Sequence, residues 1–167
     1  MEKKLTEIIC GSGRGKTAMA MGKSIQASLT GKSVIIIQFL KGSERGELSI
    51  LEKLDDLDVK FFRFEKQETI FSELSEQEQA EEKINIVNGI NFARKVIATR
   101  ECDFLVLDEI LGVIDMGIVT KELVTDMLSQ RDGSMEIILT GMTLPDWIVE
   151  HVDIVTEVRT SCLIDHR

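Results

Sequence analysis

An eight-residue run near the start of the chain carries the residue types that bind phosphate. It is Cys10-Gly11-Ser12-Gly13-Arg14-Gly15-Lys16-Thr17, and it stands between the apolar Ile8-Ile9 and a segment with a helical pattern. Small residues let backbone N–H groups curl around phosphate oxygens, and a helix beginning near Lys16 points its positive end at them. The Lys16 ammonium adds a point charge, and the Thr17 hydroxyl can coordinate Mg²⁺.

The run therefore predicts a phosphate-binding loop, although Cys10 stands where the usual pattern has its first glycine. The alternative is a glycine-rich turn that binds nothing. The setting between a strand and a helix favours the loop, because that setting is the structural context the motif requires.

Two carboxylates follow an apolar strand in the second half of the chain. Phe104–Leu107 is predicted to be a buried strand, and Asp108 and Glu109 come directly after it. Phosphate-loop proteins hold a divalent cation or its water shell with an acid in this position, and Mg²⁺ sites combine one or two carboxylates with phosphate oxygens. We therefore expect Thr17, Asp108 and Glu109 to hold the metal. The alternative is a strand that ends in solvated acids.

Loops after other predicted strands carry candidate substrate contacts at the same edge of the sheet. Lys41 and Glu47 follow the second strand, in the segments Gln38-Phe39-Leu40-Lys41-Gly42 and Glu44-Arg45-Gly46-Glu47. Either residue taken alone is typical of a solvated loop. Thr140-Gly141 follows the fifth strand, where glycine allows a ligand to approach the backbone closely. The same pair is also ordinary turn chemistry.

Short apolar runs alternate with helical patterns, which predicts an α/β fold with a mainly parallel sheet. In such sheets ligands bind at the carboxyl ends of the strands, so the loops named above are expected to converge. The predicted strands are Leu5–Cys10, Ser33–Phe39, Val59–Phe64, Phe104–Leu107, Glu136–Leu139 and a short Asp153–Val158. The predicted helices are Thr17–Thr30 closed by Gly31, Gln77–Arg100 begun by a capping box at Ser75, Lys121–Ser129, and Asp146–Glu150 after Pro145.

The composition is that of one ordinary globular domain and argues against several classes of protein. The length predicts a single domain over 1–167, which the glycine loop makes a nucleotide-binding one, and 43% hydrophobic with 29% charged residues is typical of a soluble protein. The net charge of −9 argues against a nucleic-acid partner. No apolar run reaches the roughly 20 residues of a membrane helix, and the start is unlike a signal peptide. We therefore expect a cytoplasmic protein without a membrane partner.

The reactive side chains indicate no protein nucleophile. Cys10, Cys102 and Cys162 have neither C-x-x-C spacing nor a histidine at metal-ligand spacing, which favours reduced thiols. His151 and His166 have no evident serine or cysteine partner in the sequence. We therefore expect the attacking atom of any reaction to belong to a substrate or cofactor.

Taken together, the motifs resemble those of the ATP:cob(I)alamin (corrinoid) adenosyltransferases. The similarity runs in order from about Glu7 to Arg159. The glycine loop resembles the family's G-N-G-K-G-K-T, and that family also lacks a glycine at the position of Cys10. Gln38–Gly42 resembles the family's Q-F-I-K-G, and Gly46-Glu47 resembles a following G-E. Leu107–Glu109 resembles its L-D-E, Thr140-Gly141 its T-G-R, and Asp153–Val158 its A-D-x-V-T-E-M. Many NTPases share the loop alone, whereas its combination with Q-F-x-K-G and D-x-V-T-E is far more specific.

The resemblance implies a P-loop NTPase-like three-layer fold, with ATP and Mg²⁺ (or Mn²⁺) as ligands and a cob(I)alamin-type corrinoid as substrate. It implies that Co(I) attacks the 5′ carbon of ATP and that inorganic triphosphate leaves. Backbone N–H groups, Lys16 and the metal would stabilise the departing charge. The resemblance also matches Thr17 and Glu109 to the family's metal ligands, and it implies a homodimer with the corrinoid near the subunit interface.

Two departures from the family pattern keep other functions open. Met142 stands where the family has an arginine after T-G, and the family's basic, glycine-containing tail is absent or replaced after Arg159. We expect nucleotide binding to survive these losses better than corrinoid handling. The alternatives are a phosphate-loop ATPase or kinase that cleaves at phosphorus, and a divergent, catalytically silent relative that binds ATP and acts through a partner. The Q-F-x-K-G segment favours adenosyl transfer over the ATPase.

Overall fold

The computed structural model describes residues 5–40, 56–66 and 69–163, which form a sheet with helices on both faces. The strands are β1 (Thr6–Cys10), β2 (Val34–Gln38), β3 (Val59–Arg63), β4 (Phe104–Asp108), β5 (Glu136–Thr140) and β6 (Ile154–Glu157). The α-helices are α1 (Lys16–Leu29), α2 (Glu76–Thr99), α3 (Ile110–Asp115) and α4 (Lys121–Ser129), and 3-10 helices cover Phe71–Glu73 and Asp146–His151. Across the described ranges, no helix combines the length and the apolar character that crossing a membrane requires.

The six strands are all parallel and lie in the order β3-β2-β4-β5-β1-β6. Their carboxyl ends therefore share one edge of the sheet. The strand that leads into the glycine loop, β1, lies between β5 and β6, whereas β4, which leads into the two acids, lies between β2 and β5. β5 lies between β1, which leads into the glycine loop, and β4, which leads into the two acids. To bring the loop and the acids together, α1 has to cross β5, and it packs against β1, β4 and β5.

Apolar layers cover both faces of the sheet. On one face α1 covers a cluster that includes Ile9 and Val106. On the other face α2, α3 and α4 lie over a larger cluster that includes Ile8 and Leu107. Neighbouring residues of one strand point to opposite layers, which explains why these strands are almost entirely apolar. The arrangement confirms the predicted three-layer α/β fold of the P-loop NTPase kind.

The predicted strands and helices agree with the observed bounds to within one residue at each end. The segment after Pro145 is helical as predicted, but it is a 3-10 helix. The sequence predicts no helix at α3 and no 3-10 helix at Phe71–Glu73. Both are missed because six and three residues are too few to display a helical period.

The predicted entry of α2 is confirmed as a capping box. The Ser75 N–H donates to Glu78 Oε2 at 2.9 Å, and the Glu78 N–H donates to Ser75 Oγ at 3.4 Å. Two of the N–H groups that a helix start leaves without intrahelical partners are thereby satisfied.

Gly89, in the middle of α2, is explained by close packing. A Cβ at this position would lie 2.8 Å from Cε1 of Phe39 and 3.0 Å from Cδ2 of Phe64. Phe39 is almost completely buried, so its ring has little room to move. The helix therefore needs glycine here to approach the rings at the carboxyl ends of β2 and β3.

Gly89→Ala is expected to destabilise the protein by about 1–3 kcal/mol through overpacking, although alanine is the better helix former. The matched control is Gly22→Ala in α1, where an added Cβ would meet no atom within 4 Å. The control should gain up to about 1 kcal/mol. Urea denaturation of both variants measures the two free energies of unfolding, and equal stabilisation by both substitutions would contradict the packing argument.

Candidate functional site

The turn between β1 and α1 is shaped by the chain that follows β6. Gly11 has a φ of 109° and Gly15 a φ of 93°, which residues with side chains rarely adopt. A Cβ on Gly11 would lie 2.4 Å from the carbonyl oxygen of Val158, and a Cβ on Gly13 would lie 2.6 Å from the same atom. Glycine is therefore required by the close passage of Val158 as well as by the turn itself.

Three backbone N–H groups of the loop are bonded within the chain. They are Gly11 N–H to Met142 O at 3.0 Å, Gly13 N–H to Val158 O at 2.9 Å, and Arg14 N–H to Thr160 Oγ1 at 2.8 Å. The sequence predicts that backbone N–H groups of the loop curl around phosphate oxygens. In the structure these three amides hold the loop to its neighbours, so the start of α1 is the part of the loop best able to bind an anion.

The start of α1 has the features of an anion site. Gly15 is its N-cap residue and supplies no side-chain cap to the first-turn N–H groups. These amides lie at the positive end of the helix dipole, where phosphate groups bind in many proteins. The side chains of Ser12 and Arg14 are exposed, so both can meet a ligand from solvent.

Lys16 adds a cation to these amides. Its Nζ donates to the carbonyl oxygens of Gly11 and Gly13, each at 2.8 Å. An ammonium group has three N–H donors, so one remains for a phosphate oxygen while the other two hold the loop. The loop therefore combines helix amides and one positioned lysine.

Three buried polar side chains form a row on the α1 face of the sheet. Gln38, Asp108 and Thr140 end the neighbouring strands β2, β4 and β5, and each is at most 1% exposed. Gln38 Nε2 donates to Asp108 Oδ2 at 2.9 Å, and Thr140 Oγ1 donates to Asp108 Oδ1 at 2.7 Å. Thr17 Oγ1 of α1 lies 3.1 and 3.3 Å from the two oxygens of the same carboxylate. Asp108 therefore links the loop helix to three strands.

The surroundings of Asp108 favour a cation. The carboxylate is completely buried, its donors are neutral, and no cationic side chain among the described residues bonds to it. A buried charge without a counter-charge is unfavourable. The 3.1 Å between Thr17 Oγ1 and Asp108 Oδ1 is close to the roughly 3 Å between adjacent oxygens of a Mg²⁺ octahedron with ligands at about 2.1 Å. Thr17 and Asp108 could thus hold Mg²⁺.

Phosphate oxygens would have to complete such a cation site. Within the described part of the chain, no three or more His, Cys, Asp and Glu side chains are grouped so that they could hold a metal ion. A Mg²⁺ site of one or two carboxylates, a hydroxyl and substrate phosphates does not need such a cluster. The donor set therefore fits a cation that arrives with a nucleotide.

Glu109, the second predicted acid, lies at the same edge of the sheet. It is half-buried and begins α3 with a φ of 63°, a conformation that costs a residue with a Cβ roughly 1–2 kcal/mol. Its N–H donates to Thr140 Oγ1 at 2.9 Å. Its Oε2 lies 3.7 Å from the point where a Cβ on Gly112 would stand, over the first turn of α3. Such strained residues concentrate at functional sites, which is consistent with the prediction that this acid has a ligand role.

The turn Thr140-Gly141 has a structural role, whereas its sequence left open whether it contacts a ligand or only forms a turn. The Thr140 hydroxyl donates to Asp108 and accepts from the Glu109 N–H, so it orients the Asp108 carboxylate and holds the backbone at Glu109. A Cβ on Gly141 would lie 2.4 Å from Cβ of Leu111. The close approach that glycine permits here is therefore the packing of α3 against the end of β5.

The chain that leaves β2 is held by an acid that the sequence does not reveal. Lys41 and Glu47, the predicted substrate residues, lie outside the described residues. Leu40 has a φ of 54°, and its N–H donates to Glu65 Oε1 at 2.5 Å. Burial raises the pKa of Glu65 to about 7, and the neighbouring Glu82 carboxylate also raises it. No pattern marks Glu65, because its partner lies 25 residues away in the chain.

Comparison with protein families gives one match that spans nearly the whole chain. The family model described as ATP:corrinoid adenosyltransferase BtuR/CobO/CobP matches residues 2–162. The corrinoid adenosyltransferase of Escherichia coli K12 is 27% identical over 159 residues, which is 95% of this chain and 78% of that protein. The corrinoid adenosyltransferase CobA of Salmonella typhimurium is similar to the same extent. A protein of Nostoc, all2391, without an assigned function, is 26% identical over 89% of this chain and 42% of its own length.

Among solved structures, the KaiC-like protein PH0186 from Pyrococcus horikoshii resembles this fold. The TM-score is 0.53 at 14% sequence identity, and the likeness covers 85% of this chain. This chain spans 62% of the length of that one. At this level of identity the likeness supports the fold and carries no information on activity.

Thr140→Val is expected to lower the free energy of unfolding by about 2–3 kcal/mol, because it leaves Asp108 and the Glu109 N–H each short of one buried hydrogen bond. Thr99→Val is the matched control, since it removes an exposed hydroxyl that donates to Lys95 O. The control should change stability by no more than about 0.5 kcal/mol. Equal losses in urea denaturation would mean that the Thr140 hydroxyl does not stabilise the row.

Glu65→Gln is expected to change how stability depends on pH. The folded protein takes up a proton at Glu65 below a pKa of about 7, whereas the unfolded chain does so only below the ordinary value of 4.5. This carboxyl therefore contributes stability that is full below 4.5 and is lost as pH rises through about 7. The decline should be weaker in Glu65→Gln.

The pH dependence is measured by urea denaturation from about pH 5 to about pH 8. Glu101→Gln is the control, because hydrogen bonds from the Lys95 and Thr99 side chains lower the pKa of that exposed acid, so it titrates below this window. A Glu65→Gln curve parallel to the wild-type curve would show that the Glu65 carboxyl is already ionised at the low end of the range.

Proposed function

The chain belongs to the ATP:corrinoid adenosyltransferase family BtuR/CobO/CobP, a family of transferases, and we propose that it moves the 5′-deoxyadenosyl group of ATP to Co(I) of a cobalamin-type corrinoid and releases triphosphate. One observation carries the proposal within this chain. The helix that starts at the glycine loop brings Thr17 against the buried carboxylate of Asp108, while Lys16 stays at the loop. This juxtaposition suits a polyphosphate that carries a divalent cation.

The proposed role of the loop is to bind the triphosphate and to stabilise it as it leaves. Negative charge builds on the triphosphate oxygen as its bond to the 5′ carbon breaks. Fixed donors aimed at that charge lower the barrier, because they need no reorganisation during the reaction. The first-turn amides of α1 and the free N–H of Lys16 are such donors.

Thr17, Asp108 and Glu109 are the proposed ligands of Mg²⁺ or Mn²⁺, with Glu109 at the same edge of the sheet. When bound, the cation neutralises charge on the triphosphate, directly or through its water shell. Thr140 and Gln38 orient the Asp108 carboxylate by donating to its two oxygens. The chain thus fixes the acid before any cation arrives.

The nucleophile is proposed to come from the corrinoid. Cobalt(I) gives an electron pair to the 5′ carbon, the carbon–oxygen bond to the triphosphate breaks, and its electron pair leaves with the triphosphate. Cys10, the thiol beside the loop, is a poor competitor, since it is buried and its pKa is raised by that burial and by Glu157. Lys41 and Glu47 are proposed to contact the substrates. We also propose a cytoplasmic homodimer whose partners are these small molecules.

A second candidate function is ATP binding or hydrolysis without adenosyl transfer. It is favoured by Met142, which is 65% exposed at the edge of the loop and accepts a hydrogen bond from Gly11 through its carbonyl oxygen. A flexible apolar side chain there cannot supply the positive charge that an arginine would bring to a triphosphate. In this second candidate function the loop and the cation site still bind ATP and the cation, but no corrinoid is a substrate.

One assay separates the two candidates. The protein is incubated anaerobically with ATP, Mg²⁺ and chemically reduced cobalamin, and the cobalt–carbon product and the released phosphates are followed. Adenosylcobalamin together with triphosphate supports adenosyl transfer. ADP with orthophosphate, or bound ATP without turnover, favours the second candidate and contradicts the first.

Lys16→Ala is expected to lower kcat by about 100-fold or more and to weaken ATP binding, because it removes a donor to the leaving triphosphate. Lys23→Ala is the control on the same helix, since the Lys23 ammonium pairs with Glu7 at 2.6 Å. The control should keep both values close to those of the wild type. The cobalt–carbon assay measures kcat, and calorimetric titration measures ATP binding. Unchanged values of both in Lys16→Ala would show that the loop has no role in the mechanism.

A further inference from the structure

The Gln38 side chain has a buried acceptor for which the described residues provide no donor. Gln38 is 1% exposed, and its Oε1 has no hydrogen-bond partner among the described residues. A buried carbonyl oxygen without a partner is unfavourable, and most such oxygens find a donor. This oxygen therefore calls for a donor from outside the described residues.

The orientation of the amide is fixed by its neighbour. Gln38 Nε2 donates to Asp108 Oδ2 at 2.9 Å. Turning the amide over would set Oε1 against the carboxylate, acceptor against acceptor, and would lose this bond. Oε1 must therefore face away from Asp108 Oδ2, and it cannot be satisfied by a simple flip.

The position of Gln38 restricts what the missing donor can be. Gln38 ends β2, and in the register of the sheet it lies opposite Asp108 of β4 on one side and Arg63 of β3 on the other. Its unpartnered Oε1 means that the guanidinium of Arg63 does not donate to it. Gln38 is almost completely buried, so the donor has to be a group small enough to sit among the strand ends, and a water molecule is the smallest such donor.

We propose that Gln38 is a positioning residue whose Oε1 accepts a hydrogen bond from a water of the divalent cation held at Thr17 and Asp108. Mg²⁺ gives up its waters reluctantly and keeps several in protein sites. Such waters are strong donors because the cation polarises them. Gln38 would then serve the site with both ends of its amide, one orienting Asp108 and the other orienting the hydrated cation. This inference rests on the cation site of the proposed function, but not on adenosyl transfer.

The test compares two substitutions that both remove the Nε2 donor to Asp108. Gln38→Glu keeps an oxygen that can accept from the water, and Gln38→Met keeps only the length of the side chain. Mn²⁺ replaces Mg²⁺ as the probe. Its affinity for each variant is measured by electron paramagnetic resonance with ATP present and the corrinoid left out. Gln130→Met is the matched control, since Gln130 Nε2 donates to the exposed Asp126 at 3.1 Å, away from the site.

Loss of one such hydrogen bond is expected to weaken Mn²⁺ binding about three- to tenfold in Gln38→Met. Gln38→Glu should bind Mn²⁺ as tightly as the wild type or more tightly, and Gln130→Met should be unchanged. Equal weakening in both Gln38 variants would show that only the donor to Asp108 matters and would overturn the proposal. Unchanged binding in Gln38→Met would also overturn it.

Three further outcomes also decide the proposal. If Gln38→Met does not fold, Gln38→Glu decides, because a tenfold or greater loss of Mn²⁺ affinity in that variant contradicts an acceptor role. If the protein fails to alkylate the corrinoid but the titration gives the expected order, the proposed function fails and the role of Gln38 stands. If ATP brings no Mn²⁺ to the wild-type protein, the cation site is wrong and the inference fails with it.

Discussion

The site depends on one carboxylate that lies in the interior of the protein. Asp108 is completely buried at the end of β4, where an isolated charge would be strongly unfavourable. Three neutral donors compensate part of this cost: the hydroxyls of Thr17 and Thr140 and the amide of Gln38. These donors come from α1, β5 and β2, so hydrogen bonds to the Asp108 carboxylate fix the elements around β4 relative to one another. A divalent cation bound at the site would offset the rest of the unfavourable free energy of burying this charge.

A second constraint is the crowding of chain segments around the loop. The segment after β6 passes so close that Gly11 and Gly13 have no space for a Cβ, and α3 leaves none at Gly141. Val158 and Thr160 also take the N–H groups of Gly13 and Arg14. The loop is therefore held in shape by its neighbours. Its capacity for anions is concentrated at the first turn of α1 and at Lys16.

The sequence predicts the parts of the site that lie within one motif. The glycine loop, the acids after β4 and the bounds of most elements follow from local patterns, such as the Ser75 capping box and the apolar runs of the strands. The row of Gln38, Asp108 and Thr140 could not be predicted, because it depends on which strands are neighbours in space. The order of the sheet places β4 between β2 and β5, although β3 comes between β2 and β4 in sequence and two helices separate β4 from β5. The same limit hides Glu65, and α3 is hidden because it is short.

The most direct measurement is a crystal structure of the protein with ATP and Mn²⁺, in which anomalous scattering locates the cation. The account predicts one peak bonded to Thr17 Oγ1, beside the Asp108 carboxylate, with the triphosphate at the first turn of α1. A peak away from Thr17, or a triphosphate outside the loop while Thr17 remains bonded to Asp108, would contradict the account.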